Sequence, residues 1–272
     1  MINQPLPGCN FMNYIAKRPI ILCFADYYLP GYRAGGPVRS ISNFVDCFGD
    51  EYDIRIVTRD RDFLNPDSYP DIRIDNWNCI GKASVFYASR RFLSFFGVLK
   101  LLRGTTHDVL YLNSFFSYRF TALPLLARKL RLACKQPCVI ATRGEFSTGA
   151  LFLNAQKKSV YLAIVKVLGL FTRLHWQASS EYECADIRRV MGAVSSSVYI
   201  APDLPPIELS PDTLGFTSRF IAKSDAPLRI VFLSRISPKK NLEFLLKSLC
   251  LARERIELAI FGPLEDLGYW KR

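Results

Sequence analysis

The chain has 272 residues, of which 50% are hydrophobic and 22% are charged, a balance that is typical of folded globular proteins and excludes general disorder. Lys and Arg outnumber Asp and Glu by 36 to 24, which gives a formal charge of +12. Such an excess favours phosphates, anionic lipid head groups or nucleic acid, and it also fits a solvated basic surface without a partner.

Short β-branched or aromatic runs alternate with longer segments of helical periodicity, which is typical of parallel strands joined by crossover helices. We therefore predict an α/β fold. Strands are predicted at Ile20–Phe24, Asp53–Thr58, Ser84–Tyr87, Val109–Asn113, Cys138–Thr142, Leu174–Ala178 and Val198–Ala201. Helices are predicted at Pro37–Phe48, Phe92–Arg103, Arg119–Cys134, Ala155–Leu170 and Glu181–Met191.

A proline-rich stretch interrupts this alternation between Pro202 and Pro227, and it indicates an interdomain linker. A strand at Leu228–Leu233, a helix at Leu242–Arg253 and a strand at Glu257–Phe261 then begin a second alternating unit. We predict an N-terminal Rossmann-like domain over residues 1–203, a linker over 204–227, and the incomplete start of a second domain over 228–272.

Cysteine usage and apolar segments suggest the compartment. The eight cysteines are scattered, Cys134 and Cys138 form an isolated CxxxC, and only two histidines occur. We expect reduced thiols and no metal site. The N-terminus lacks the basic-then-apolar order of a signal peptide, and the apolar segment Val160–Thr172 is shorter than the ~20 residues of a membrane span. We expect a cytoplasmic protein, either free or associated with the inner face of the plasma membrane.

Two segments contain candidate residues for binding a phosphate-bearing ligand. In the first, Gly35 and Gly36 precede Pro37 at the start of a helix that follows the first strand, with Arg39 one turn on. Ligands of open α/β sheets bind at this edge, and a helix N-terminus attracts phosphate. The spacing is neither GxGxxG nor a P-loop, and a tight turn that needs positive φ is the alternative.

The second segment, Ser234–Leu242, follows the first strand of the second domain and opens a helix. Arg235 and Lys240 bracket its loop. A guanidinium and an ammonium at this spacing can bind one diphosphate between them, while solvated loop charges are the alternative.

Together the two segments resemble the retaining GT-B glycosyltransferases of the glycogen-synthase-like group 1 type. The run Pro30–Pro37 is similar to the N-terminal loops of bacterial enzymes that build surface polysaccharide. The resemblance implies a complete N-terminal Rossmann-like domain followed by the beginning of a second. It also implies that Gly35 and Gly36 lie against a donor diphosphate whose charge Arg235 and Lys240 neutralise.

The implied reaction transfers a sugar from a nucleotide diphosphate sugar to a glycan or a lipid-linked acceptor in polysaccharide biosynthesis. The nucleotide sugar is a co-substrate, and no cofactor or metal is expected. Arg39 is assigned to the acceptor side or the cleft. Arg143 and Glu145 are candidate catalytic residues, although Arg143 stands where many relatives carry a histidine.

Two further patterns are interpreted structurally. Ser180 precedes the helix from Glu181, and we favour an N-cap. Glu257 and Glu265 have the separation of the family's E-x7-E donor motif, but a strand and the following turn are the wrong context, so we interpret the spacing as chance.

Three alternatives remain. The first is a catalytically inactive truncated fragment of such an enzyme, and the second, on charge alone, is a nucleic-acid-binding protein. The second alternative lacks a reader motif, so no nucleic acid is expected. The segment Arg90–Arg103 favours core packing, and the alternative is a surface helix in peripheral contact with anionic lipid.

Overall fold

The structure, a computed structural model, describes residues 17–133, 135–192, 197–207, 227–253 and 255–272. Contacts divide the chain into two compact units. The first comprises Met1–Ser147 and Asn154–Ile207, and the second comprises Thr148–Leu153 and Glu208–Arg272.

An eight-stranded sheet forms the centre of the first unit. Its strands are β1 (Ile20–Ala25), β2 (Asp53–Arg59), β3 (Trp77–Ile80), β4 (Ala83–Ala88), β5 (Val109–Asn113), β6 (Cys138–Ala141), β7 (His175–Ala178) and β8 (Val198–Ile200). The spatial order is β3-β4-β2-β1-β5-β6-β7-β8. Every neighbouring pair is parallel except β3 with β4.

Helices connect these strands. They are α1 (Gly36–Phe48), α2 (Phe95–Gly104), α3 (Leu123–Lys129), α5 (Ala155–Val167) and α6 (Glu181–Met191), and the short α4 (Thr148–Phe152) belongs to the second unit. Ile41 and Val45 of α1 pack with Cys23, Ile56 and Val85 of the sheet in one buried cluster. The apolar spacing of α1 thus buries the helix face that the sequence predicts.

Aromatic side chains form a second buried cluster in this unit. The Phe115 ring stacks on Phe171 with centroids 4.3 Å apart and meets Phe146 edge-on at 4.6 Å. Trp176 stacks on the same group, 5.9 Å from Phe171. Because all four side chains are buried, they anchor the loops after β5 and β6 to β7.

The predicted strands are confirmed, each within one residue at both ends. The antiparallel β3 was not predicted. It is a four-residue edge strand that pairs with β4 across a tight turn at Gly81, where φ is +57°. So short a strand has no alternation long enough to detect.

Several helix boundaries differ from the prediction. The helices predicted at Ala155–Leu170 and Leu242–Arg253 end at Val167 and Leu249. Local chemistry explains two further differences. The helix predicted from Phe92 begins at Phe95, since the Ser94 hydroxyl accepts a hydrogen bond from the Gly97 amide at 3.3 Å. The helix predicted at Arg119–Cys134 consists of one π-helical turn at Tyr118–Ala122 followed by α3. It ends before Arg131, whose φ is +59°.

The second unit contains a parallel pair, β9 (Leu228–Leu233) and β10 (Ile256–Phe261), joined through α7 (Leu242–Leu249) and followed by α8 (Leu267–Lys271). This is the predicted strand-helix-strand unit. Most of the predicted linker lies outside the described residues, so the proposed domain boundaries remain predictions. The α/β fold class with a large parallel sheet is confirmed.

Cysteines and helices add two observations. The described cysteines, Cys23, Cys47, Cys79, Cys138, Cys184 and Cys250, are free thiols. In the part of the chain that the structure describes, no helix has the length and apolar character needed to cross a bilayer.

Candidate active site at the carboxyl edge of the sheet

A crevice is expected where the order of connection along the sheet reverses. The chain proceeds from β1 outward to β2 and β4 and then returns to β5 on the other side of β1. Open α/β sheets bind ligands at the carboxyl ends of the strands at such a switch point. A cavity of about 300 Å³ lies there, lined by Asp26, Arg59, Ser114, Phe116, Ser117, Tyr118, Arg119 and Glu145.

Glu145 enters this cavity from the loop after β6. Its carboxylate accepts hydrogen bonds from the Ser114 hydroxyl at 2.8 Å, from the Phe116 amide at 3.2 Å and from the Phe115 amide. Burial raises the pKa of Glu145 above its ordinary value, and the three donors oppose that rise only in part. Glu145 therefore fixes the loop after β5 and keeps its proton at a higher pH than an exposed glutamate.

Arg59 also lines this cavity. Its guanidinium pairs with Asp26 at 2.6 Å and lies over the rings of Tyr27 and Phe120, 5.3 Å from each centroid. The Nε atom is buried and has no hydrogen-bond partner among the described residues. A buried donor without a partner is costly, so Arg59 retains an unmet hydrogen bond beside the cavity.

Glu183, in α6, stabilises the loop after β6. It was not singled out in the sequence. It accepts hydrogen bonds from Thr142 and the Gly144 amide at 2.6 Å, and from the Ser179 amide and hydroxyl at 2.7 Å. Burial acts to raise its pKa, but these hydrogen bonds outweigh burial, and the pKa lies below its ordinary value. The signal was the Ser180-x-x-Glu183 spacing of a capping box.

Arg143 points away from the cavity of Glu145. Its Nε and Nη2 donate to Asn113 Oδ1 at 3.0 and 2.7 Å, Nη2 also donates to Tyr111 Oη at 2.9 Å, and Nη1 pairs with Asp203. Arg143 lines a different cavity, of about 640 Å³, whose walls are mostly apolar. The structure thus places Arg143 and Glu145 in one loop but not in one cavity.

The glycine segment lies at the same edge of the sheet. Gly35 caps α1 with φ at +75°, which explains a glycine there, and α1 begins at Gly36 with Pro37 in its first turn. A Cβ atom at Gly35 or Gly36 would meet nothing within 4 Å, so both backbones are open to approach. Gly36 and Arg39 are exposed.

Three side chains, those of Asp62, Tyr69 and Tyr87, contact the residues just before Gly35. Asp62 Oδ2 accepts from the Tyr32 and Arg33 amides at 3.1 and 3.2 Å, and the Tyr87 hydroxyl donates to the Leu29 carbonyl at 2.6 Å. Tyr69 lies against Gly31, where an added Cβ would come within 2.1 Å of the Tyr69 hydroxyl. The loop is therefore anchored on one side while Gly35 and Gly36 face outward.

The predicted residues of the second unit follow β9. Arg235 is half-buried and pairs with Glu265 at 2.9 Å, whereas Lys240 is exposed at the end of a 3₁₀ turn, Pro238–Lys240. Glu257 pairs with Arg229 across β9 and β10. Glu257 and Glu265 thus lie in a strand and in the turn after it, as predicted.

Ser180 is the N-cap of α6, because its hydroxyl accepts from the Glu183 amide at 3.3 Å. That prediction is confirmed. The apolar face of α2 is also in the core, through Val98, Leu99, Leu101 and Leu102, which supports core packing for Arg90–Arg103.

Comparisons with known proteins identify the fold. No family model and no curated protein matches the sequence. A sucrose-phosphate synthase from Thermosynechococcus elongatus superimposes with a TM-score of 0.56 at 14% identity, over 90% of this chain and 62% of that one. The chain has the GT-B fold over the residues compared.

Two further structures agree. A UDP-forming α,α-trehalose-phosphate synthase from Burkholderia xenovorans in complex with glucose-6-phosphate gives a TM-score of 0.53 at 12% identity, covering 93% of this chain and 68% of that one. A structure of trehalose-6-phosphate from E. coli bound with UDP-2-fluoro glucose gives a TM-score of 0.50 at 12% identity, covering 93% of this chain and 67% of that one. At these identities the likeness is one of fold, and the chain spans about two thirds of the length of these neighbours.

Proposed function

We propose that the chain is a glycosyltransferase of the retaining group 1 type, which transfers a sugar from a nucleotide diphosphate sugar to a glycan or lipid-linked acceptor in polysaccharide biosynthesis. The observation that carries the proposal is the polar cavity at the switch point, where Arg59 and Glu145 surround ligand-sized space in a GT-B fold. The neighbours bound with UDP-2-fluoro glucose and with glucose-6-phosphate support this substrate class.

The donor diphosphate is assigned to cationic and backbone groups. Gly35 and Gly36 offer an open helix N-terminus, and Arg235 and Lys240 supply positive charge. As the bond between the anomeric carbon and the diphosphate oxygen breaks, negative charge develops on the leaving group, and such groups stabilise it. The proposal requires no metal and no further cofactor. It also requires that Arg235 exchange its contact with Glu265 for the diphosphate.

The acceptor is assigned to the first unit. Its hydroxyl oxygen forms the new bond to the anomeric carbon and gives its proton to the departing diphosphate. The guanidinium of Arg59 and the hydroxyls of Ser114 and Ser117 are the polar groups suited to orient it. The family resemblance assigns Arg39 to the acceptor side or the cleft. Arg143 and Glu145 remain the candidate catalytic residues, and only Glu145 lines this cavity. We propose that the protein acts in the cytoplasm.

Nucleoside diphosphate release tests the diphosphate assignment. We expect Arg235→Ala and Lys240→Ala each to lower kcat by about 10²-fold, the scale for loss of one group that stabilises developing charge. Lys239→Ala is the control, because Lys239 is an exposed cation in the same turn. Equal turnover by all three variants and the unmodified chain would remove the assignment.

A further inference from the structure

The outward face of α5 is apolar. Val167 is 87% exposed, Val160 60% and Ile164 52%, and these residues recur at the spacing that places them on one side of a helix. Only Val165 of this helix is buried. A continuous exposed apolar face on a helix marks a surface that contacts something else.

Basic residues accompany this face without any acidic ones. Between Glu145 and Glu181 the sequence has no Asp or Glu, and its charged residues are Lys157, Lys158, Lys166 and Arg173. On a helical projection Lys157 borders the apolar stripe beside Ile164, and Lys166 lies farther round the helix on the other side. Lys157, Lys166 and Arg173 are exposed, and Lys166 also donates to the Val190 carbonyl at 2.7 Å.

We propose that α5 docks the first unit on an anionic membrane surface, with Val160, Ile164 and Val167 entering the interface and Lys157, Lys166 and Arg173 contacting lipid phosphates. An apolar helix face between cations is the pattern of helices that lie in the bilayer interface. Charge favours this occupant over a second copy of the chain, because pairing two such faces would bring the same cations together. At 13 residues the helix lies on the bilayer and does not cross it.

The proposed membrane surface is on α5, whereas the alternative considered from the sequence was the segment Arg90–Arg103. The apolar residues of α2 are largely in the core, and Phe96 is its one large apolar side chain that is strongly exposed, at 78%. In α5 the arrangement is reversed. The inference stands on this surface alone and does not depend on the proposed sugar transfer.

Sedimentation of the whole chain with vesicles tests the inference. One set of vesicles contains phosphatidylcholine only, and the other contains equal parts phosphatidylcholine and phosphatidylglycerol. We expect binding to the anionic set alone. Val160→Ser with Val167→Ser should weaken binding about tenfold through lost apolar burial. Lys157→Gln with Arg173→Gln should weaken it about fivefold per charge.

Phe96→Ser is the matched control, since it removes a similarly exposed apolar side chain from α2 and should leave binding unchanged. Circular dichroism of each variant checks that α5 and the sheet remain folded. Failure of the unmodified chain to bind anionic vesicles, or equal binding by the serine pair, would overturn the inference. So would a dimer in lipid-free ultracentrifugation that the serine pair abolishes, because a second copy would then occupy the face.

These readouts separate the inference from the proposed function. Vesicle binding measures no turnover, and nucleoside diphosphate release with a soluble acceptor needs no membrane. Loss of vesicle binding with turnover retained would remove only the membrane surface, and the converse would remove only the sugar transfer.

Discussion

Glu145, in the loop after β6, and Glu183, in α6, have carboxyl pKa values that are shifted in opposite directions. Both are buried to a large extent and both accept several hydrogen bonds, yet the pKa of Glu145 is raised by burial and that of Glu183 is lowered because its donors outweigh burial. The two carboxylates also differ in how the backbone amides bind their oxygens. At Glu145 both backbone donors share Oε2, whereas at Glu183 the Gly144 and Ser179 amides bind different oxygens.

Replacing each glutamate by glutamine should therefore give different results. In Glu145→Gln one amide oxygen can accept from Phe115 and Phe116 while the NH₂ group donates to Ser114, so we expect stability at pH 7 to be retained. Turnover should fall by about 10²-fold if a carboxyl group takes part in proton transfer. In Glu183→Gln the NH₂ group must face one backbone N–H, which should cost about 1–3 kcal/mol.

The dependence of unfolding on pH has a definite sign at Glu183. Because its folded pKa is depressed, its contribution to stability is present above the unfolded value of about 4.3 and is lost as pH falls through the folded pKa. Glu145 acts in the opposite direction, since a raised folded pKa makes stability fall as pH rises. The free energy of unfolding, measured with denaturant from pH 7 to pH 3, should depend less on pH for Glu183→Gln than for the unmodified chain. An equally steep profile would contradict the role given to Glu183.

At the scale of elements, the anchored glycine loop gives a sharp prediction. Gly31→Ala would place Cβ 2.1 Å from the Tyr69 hydroxyl and 2.9 Å from Asp62 Oδ1, so we expect a loss of about 1–3 kcal/mol of stability. Adding Tyr69→Phe should recover part of it. Gly104→Ala is the control, because its Cβ would meet nothing within 4 Å. Equal unfolding midpoints for Gly31→Ala and Gly104→Ala would show that the loop is not held as described.

Elements with long apolar patterns were predictable, and those decided by local or distant contacts were not. The alternation of β1 with α1 is encoded by residues that pack on each other, such as Cys23 and Ile41. The edge strand β3 depends on pairing with β4, and α2 starts where Ser94 caps it. The Glu183 network was missed because its donors come from two separate loops, although Ser180 correctly indicated where α6 begins.

For the whole molecule, the sheet order explains why the site lies where it does. A reversal between β1 and β5 leaves space at the carboxyl edge, and Asp26, Ser114 and Glu145 follow strands that end there. The sequence predicted Glu145 at this edge through a family resemblance. Arg59, whose Nε has no hydrogen-bond partner within the described part of the chain, emerged only from the packing of Tyr27 and Phe120 around it.

The most direct measurement of the central claim is the stoichiometry of transfer. The chain is incubated with a panel of nucleotide diphosphate sugars and membrane or glycan acceptors, while nucleoside diphosphate and glycosylated product are quantified together. We predict one nucleoside diphosphate per sugar transferred, with the anomeric configuration of the donor retained. Absence of nucleoside diphosphate and of product with every donor would contradict the claim.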